Sequence, residues 1–176
     1  MLHTSPILKT PKWLYTKHLQ TIVPNVYRKV NGVQYVRERI ETWDDDFLDL
    51  DWSCVGSNKI MIISHGFEGS SDRVYARGLV KIFNAHGFDV CVWNFRGCSG
   101  EDNRQFFGYH SGKTDDLDWV IEHIINTNNY EDFHLIGISM GGNLTMKYLG
   151  EEKWDSVKHI TSAVTVSVPI HYETSF

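Results

Sequence analysis

Two hydrophobic patterns alternate along this chain. Short, unbroken apolar runs stand at Lys59–Ser64 (KIMIIS), Phe88–Phe95 (FDVCVWNF), Phe133–Ile138 and Ile160–Val168, the last closed by Pro169. Runs of this length, bounded by glycine, proline or polar clusters, predict strands, and those at Lys59–Ser64 and Phe88–Phe95 read as buried on both faces. Between them apolar residues recur at helical spacing. Arg73–Ala85 places Val74, Leu79, Val80 and Phe83 on one face and is closed by His86-Gly87. Leu117–Ile125 has Ser111 or Thr114 as its cap and Asp115 and Asp116 in its first turn, where carboxylates suit the helix dipole. Met140–Gly150 is a third helix, stopped by Gly150. Val36–Thr42 and Phe47–Cys54 read as two strands joined at the polar turn Asp44-Asp45-Asp46. Ahead of them the chain is broken by Pro6, Pro11 and Pro24, with one short aromatic-rich helical stretch around Trp13–Thr21.

Strands alternating with helices imply an α/β fold, with a mostly parallel sheet covered by helices on both faces. Residues 1–30 read as an N-terminal extension and residues 31–176 as the sheet-bearing domain. In such sheets ligands bind at the carboxyl ends of the strands. Three unusual loops fall on that edge: His65–Asp72, Arg96–Gly112 and Ser139–Gly142.

Composition narrows the class. The 176 residues are 41% hydrophobic and 13% aromatic, as expected of a packed globular chain, and the net charge is −5. With no basic stripe, nucleic acid is not an expected partner. Cys54, Cys91 and Cys98 form neither a CxxC pair nor an even framework, which points to a reducing, cytoplasmic setting. The N-terminus lacks the apolar core of a signal peptide, and no apolar stretch approaches the ~20 residues that span a bilayer. No metal cluster, P-loop or dinucleotide fingerprint is present, so no cofactor is expected.

The chemistry is carried by Gly137-Ile138-Ser139-Met140-Gly141, set between a buried strand and a helix. Strand, G-x-S-x-G, helix is the pattern of a nucleophile elbow, whose sharp turn holds the serine hydroxyl above the sheet and requires small flanking residues. Ser139 is the candidate nucleophile. The N–H of the residue after it, Met140, is one oxyanion donor. The other comes from the loop after the third strand, His65-Gly66-Phe67-Glu68-Gly69, and is assigned to Phe67 within one position. Each such donor is worth ~3 kcal/mol of barrier. His65 is read as a ring that braces this loop, Arg96 as an internal hydrogen-bonding residue of its own loop, and Cys98 as a buried loop cysteine. His110 falls near the pocket, but Asp115 and Asp116 are already assigned to the helix terminus.

A serine nucleophile needs a base, and the base needs an orienting carboxylate. Downstream of Ser139 only Glu151, Glu152, Asp155, His159, His171 and Glu173 qualify. Glu151 to His159 lie between a helix end and the start of the last strand, on the opposite edge of the sheet and about 25 Å from the serine. His171 lies past the correct edge and is the one stand-in.

The segments HLQTIVP (His18–Pro24), HGFEGSSD (His65–Asp72), YARGL (Tyr75–Leu79), NFRGCSGEDNR (Asn94–Arg104), YHSGKTDDL (Tyr109–Leu117), GISMGGNLTMKYLGE (Gly137–Glu151) and VSVP (Val166–Pro169) resemble the YheT-like α/β-hydrolases, also called the alpha/beta hydrolase-4 group. The resemblance implies a serine carboxylic-ester hydrolase acting on short- to medium-chain acyl esters through an acyl-Ser139 intermediate. Some relatives transfer the acyl group to alcohols, and animal members carry a membrane anchor that this chain lacks. It also implies a catalytic Asp and His, and a helical cap, in sequence beyond a sixth strand. The chain therefore reads as the N-terminal part of such a domain, truncated after that strand. Two readings stay open: a hydrolase completed by further sequence, or a non-catalytic remnant or partner-binding pseudoenzyme. The last strand, ITSAVTVSV, would present an apolar open edge through which copies could associate.

Overall fold

A computed structural model of the chain describes residues 11–106, 108–151 and 155–169. Two compact units meet at the Asn31–Gly32 boundary. In the first, helix α1 runs Lys17–Tyr27, four residues later at its start than the sequence pattern predicts and past Pro24 rather than stopping before it. The start is set by Thr16, whose hydroxyl accepts the Leu19 N–H at 3.2 Å and so caps the helix.

The second unit is built on one six-stranded sheet. Its strands are β1 (Val36–Glu41), β2 (Phe47–Ser53), β3 (Lys59–Ser64), β4 (Asp89–Asn94), β5 (Asp132–Ile138) and β6 (Ile160–Val166). They stand in the order β1-β2-β4-β3-β5-β6. The β1–β2 hairpin is antiparallel and docks antiparallel on β4, while β4, β3, β5 and β6 are parallel. Helices α2 (Val74–Ala85), α3 (Asp115–Thr127) and α4 (Met140–Gly150) connect or follow the parallel strands, and α4 lies against β3, β5 and β6.

The apolar runs of β3 and β4 are unbroken for the expected reason, whereas no residue of β6 is buried. Every residue of β4 is buried, and Ile60, Ile62, Ile63, Val90, Cys91 and Val92 are inaccessible to solvent. Such strands need cover on both faces, each such side chain contributing ~1.5–3 kcal/mol by its removal from water. Strand β2 alternates instead. Leu48, Leu50 and Trp52 enter the apolar core, whereas Asp49 and Asp51 point to the other face and are buried there against arginines of β1. Arg39 grips Asp49 through Nε at 2.8 Å and Nη2 at 2.9 Å, and Arg37 grips Asp51 at 2.8 and 2.7 Å.

Helix α3 starts where expected, after Thr114, but without a side-chain cap bond. The Thr114 hydroxyl is instead committed to Glu151. Asp116, read from the sequence as a helix-dipole residue, is buried and holds Arg96 in a two-point grip at 3.0 and 2.8 Å. A guanidinium pair of this strength outcompetes the weak field of a helix terminus.

Candidate active site

Ser139 sits where β5 gives way to α4, with φ 53° and ψ −115°. A left-handed backbone is uncommon at a non-glycine residue and costs of order 1–3 kcal/mol, so the surroundings must impose it. They do so from both sides. The Ser139 N–H donates to Val166 O of β6 at 2.8 Å, and its carbonyl accepts the Asn143 N–H at 3.1 Å, starting the helix. The flanking glycines are dictated by contact. A methyl group on Gly137 would stand 2.4 Å from Gly141 O, and one on Gly141 would stand 2.3 Å from Ser64 O and 2.4 Å from His65 O. The turn is thus pressed directly onto the end of β3, which brings the next loop alongside. A methyl on Gly66 would lie 3.5 Å from Ser139 Cβ.

That loop is tied down residue by residue. Gly66 N–H donates to the Tyr75 hydroxyl at 2.9 Å, Glu68 N–H to the Tyr109 hydroxyl at 2.9 Å, and Gly69 N–H to Gly66 O at 2.9 Å. Among the described residues the Phe67 N–H, between them, makes no such bond. Met140 N–H is the first donor of α4, where the helical ladder supplies no partner. The Phe67 and Met140 amides thus carry no hydrogen bond that would exclude the donor role expected of them from the sequence. Farther along, the Ser71 hydroxyl donates to Asp51 at 2.5 Å, and Asn94 bridges the same carboxylate at 2.7 Å while accepting the Ser71 N–H at 3.0 Å. The acidic, buried face of β2 therefore anchors the far end of the loop. Alternation in Phe47-Leu48-Asp49-Leu50-Asp51-Trp52 carried a signal for that polar face, but nothing in the sequence said what would cover it.

His65 is the brace expected of it. Its ring is fully buried against Phe95, with centroids 4.1 Å apart. Nε2 accepts the Phe95 N–H at 3.1 Å, so the proton of the neutral ring is on Nδ1, which donates to Gly66 O at 2.8 Å. Burial, only partly opposed by the Gly66 carbonyl, lowers its pKa to about 4. The unfolded chain, with a histidine near 6.5, then binds the extra proton first as the pH falls. Stability from this residue is fully present above pH 6.5 and declines toward pH 4, by about 3 kcal/mol in all. The expected imidazole ¹⁵N spectrum is that of an Nδ1–H tautomer unchanged from pH 7.5 to 5. A midpoint near 6.5 would contradict it.

Among the other described histidines of the second unit, His110 lines a small cavity together with Met140, the residue after Ser139. His86 bonds to Ile82 O, His110 accepts from Gly112 N–H, His123 pairs with Glu38, and His134 bonds to Ser162. His159 packs on Phe133, six residues before Ser139 and about 20 Å away along β5. Glu151 is held by Thr114 and Lys147. His171, Glu152 and Glu173 lie outside the described residues.

Arg96 is structural, its guanidinium shared by Asp44, Asp46 and Asp116. Cys98 is half-buried, and burial raises its thiol pKa. A cavity beside Met140, lined by Trp93, Phe95, Tyr109 and Leu144, has a volume of about 10 Å³, enough for no more than a water molecule. The larger groove of about 410 Å³ lies elsewhere, between β1 and α3, lined by Glu38, Ile40, Trp119 and His123. No helix among the described residues is long and apolar enough to cross a membrane.

Residues 59–176 match the family model for the alpha/beta hydrolase fold. The chain is 36% identical over 160 residues to YheT of Escherichia coli (strain K12), a protein named as an esterase, covering 89% of this chain and 46% of that one. It is 29% identical to phospholipase ABHD3 of Homo sapiens, covering 89% and 40%. Among solved structures the esterase Pf2001 of Pyrococcus furiosus superposes with a TM-score of 0.68 at 25% identity, over 80% of this chain and 54% of the other. The chain thus spans about half the length of these relatives.

Proposed function

Because this chain belongs to the alpha/beta hydrolase fold family, we propose that it is the nucleophile-bearing part of a serine carboxylic-ester hydrolase acting on short- to medium-chain acyl esters. The observation that carries this reading is the strained Ser139 turn at φ 53°, packed beside a loop whose Phe67 N–H is left available. Ser139 Oγ would attack the ester carbonyl carbon as a base removes its proton. The carbonyl oxygen, now negative, would lie between the Phe67 and Met140 N–H groups. Collapse releases the alcohol and leaves acyl-Ser139, which water hydrolyses. In this reading the base, its orienting carboxylate and the acyl pocket are completed by sequence beyond β6.

The bonds of His65, His86, His123 and His134 to groups other than Ser139 favour a second reading, in which this chain alone is a non-catalytic remnant or a partner-binding pseudoenzyme. In either reading β6 stands at the edge of the described sheet, with Val164 and Val166 more than a third exposed, and offers pairing to a second copy. An N-terminal extension, residues 1–30, ahead of the N-terminal part of the hydrolase domain, residues 31–176, and a cytoplasmic setting consistent with three free cysteines, complete the proposal.

A fluorophosphonate probe separates the readings. The expected result is covalent labelling of the folded chain that disappears in Ser139→Ala. A folded chain that does not label at all would reject the hydrolase reading for this chain on its own.

A further inference from the structure

The loop that carries Phe67 is gripped more elaborately than a turn requires. Gly66 and Glu68, the neighbours of Phe67, each give their N–H to a tyrosine hydroxyl, and the two tyrosines come from different elements. Tyr75 is on α2, and Tyr109 ends the long loop after β4. The carbonyls are held as well. Gly66 O accepts from His65 Nδ1 and from Gly69 N–H, and Glu68 O accepts from Arg73 Nη2 at 2.6 Å. Glu68 itself is left-handed, with φ 49°. A non-glycine residue keeps that conformation only when its surroundings over-determine it. The N–H and C=O groups of Gly66 and Glu68, the two neighbours of Phe67, are thus engaged, and the Phe67 N–H is not.

Resting on the hydrolase reading above, we propose that Tyr75 and Tyr109 are positioning residues that bracket Phe67 and fix its N–H as an oxyanion donor. A tyrosine hydroxyl suits the task because it accepts an amide proton without carrying charge. It leaves the neighbouring donor facing a developing oxyanion with no competing anion beside it. Burial raises the pKa of both phenols, which keeps them neutral across the working range of an esterase. Tyr109 is held by its ring as well as by its hydroxyl. Its ring is packed on Phe95, with centroids 5.1 Å apart, and faces Phe67 at 6.1 Å. Removing the hydroxyl therefore leaves the ring anchored.

The test is amide exchange on the ¹⁵N-labelled chain combined with fluorophosphonate labelling rates. In Tyr109→Phe the Glu68 amide is expected to exchange about five- to tenfold faster while the Gly66 amide is unchanged. Tyr75→Phe is expected to do the reverse, each reporting one lost hydrogen bond. Both variants are expected to label Ser139 about tenfold more slowly than the unaltered chain, because a donor displaced from its line is worth only part of its full contribution. A merely structural tyrosine would change the melting temperature without moving the labelling rate of the folded protein. Unchanged exchange at the partnered amide, or an unchanged labelling rate in a chain that labels, overturns the proposal while leaving the hydrolase reading intact. Absent labelling of the unaltered chain overturns both, since Phe67 then has no oxyanion to receive.

Discussion

Gly141→Ala is expected to be among the most destabilising single substitutions in this chain, costing about 4 kcal/mol and abolishing any labelling of Ser139. Two effects of opposite sign compete. Gly141 lies in helix α4, where alanine is intrinsically favoured over glycine by ~1 kcal/mol. Against this, the new methyl would stand 2.3 Å from Ser64 O and 2.4 Å from His65 O, both backbone atoms of the strand end on which the loop is built. Ordinary overpacking costs ~1–3 kcal/mol because side chains can give way. Here the obstacle is the main chain of a buried strand, so the clash wins and is relieved only by parting α4 from β3. Gly150 provides the control. It is the last residue of the same helix, and a methyl there meets nothing within 4 Å. Gly150→Ala is expected to be neutral or stabilising by up to ~1 kcal/mol. Urea melts of both variants check the pair, and a Gly141→Ala chain as stable as the unaltered one would refute the packing argument.

Arg96→Met is expected to cost 3–5 kcal/mol at pH 7, although it exchanges a charged side chain for an apolar one of similar length. Arg96 is almost wholly buried and binds Asp44 at 2.8 and 3.2 Å, Asp46 at 2.9 Å and Asp116 at 3.0 and 2.8 Å. One cation thus serves three carboxylates, of which Asp46 and Asp116 are themselves buried. Burial works against the charged form of Asp44, but hydrogen bonds from Arg96 and Thr42 prevail and hold its carboxyl below the usual range. At Asp46 burial is outweighed by Asn103 and by the N–H groups of Arg104 and Phe47, with Arg96 adding to them. Both residues therefore contribute stability that is present above pH ~4 and lost as the pH falls through their lowered values. Without the guanidinium the buried carboxylates are uncompensated, and the variant should recover stability on mild acidification, where they take up protons. Unfolding free energies measured from pH 7 to pH 5 would then converge between variant and unaltered chain. A constant difference across that range would mean that the loss is one of packing, not of charge.

Arg96 also shows where reading the sequence reaches its limit. That it serves the fold rather than a substrate is legible from its glycine-rich setting, but the expected role within its own loop is not what the structure shows. Its partners are not legible, because Asp44 and Asp46 come from a hairpin turn about fifty residues earlier and Asp116 from the helix twenty residues later. Likewise the turn that holds the serine, and the glycines it requires, were readable from local pattern. Tyr75 and Tyr109, which leave Phe67 as the available amide of its loop, looked like ordinary residues of a helix and a loop.

The amino-acid sequence by itself determined the strands, the three main helices, the parallel α/β architecture and the position of Ser139. Each follows from the periodicity of apolar residues or from a turn that only small residues can make, and both are short-range constraints. Tertiary structure alone decided the N-terminal limit of α1 at Thr16, the burial of Asp49 against Arg39 and of Asp51 against Arg37 and Ser71, the partners of His65, His86, His123 and His134, and the two-sided grip on the Phe67 peptide. These rest on hydrogen bonds and charge pairs whose partners are set by strand order and loop closure. A polar residue announces in the sequence that it needs a partner, and the fold supplies which one.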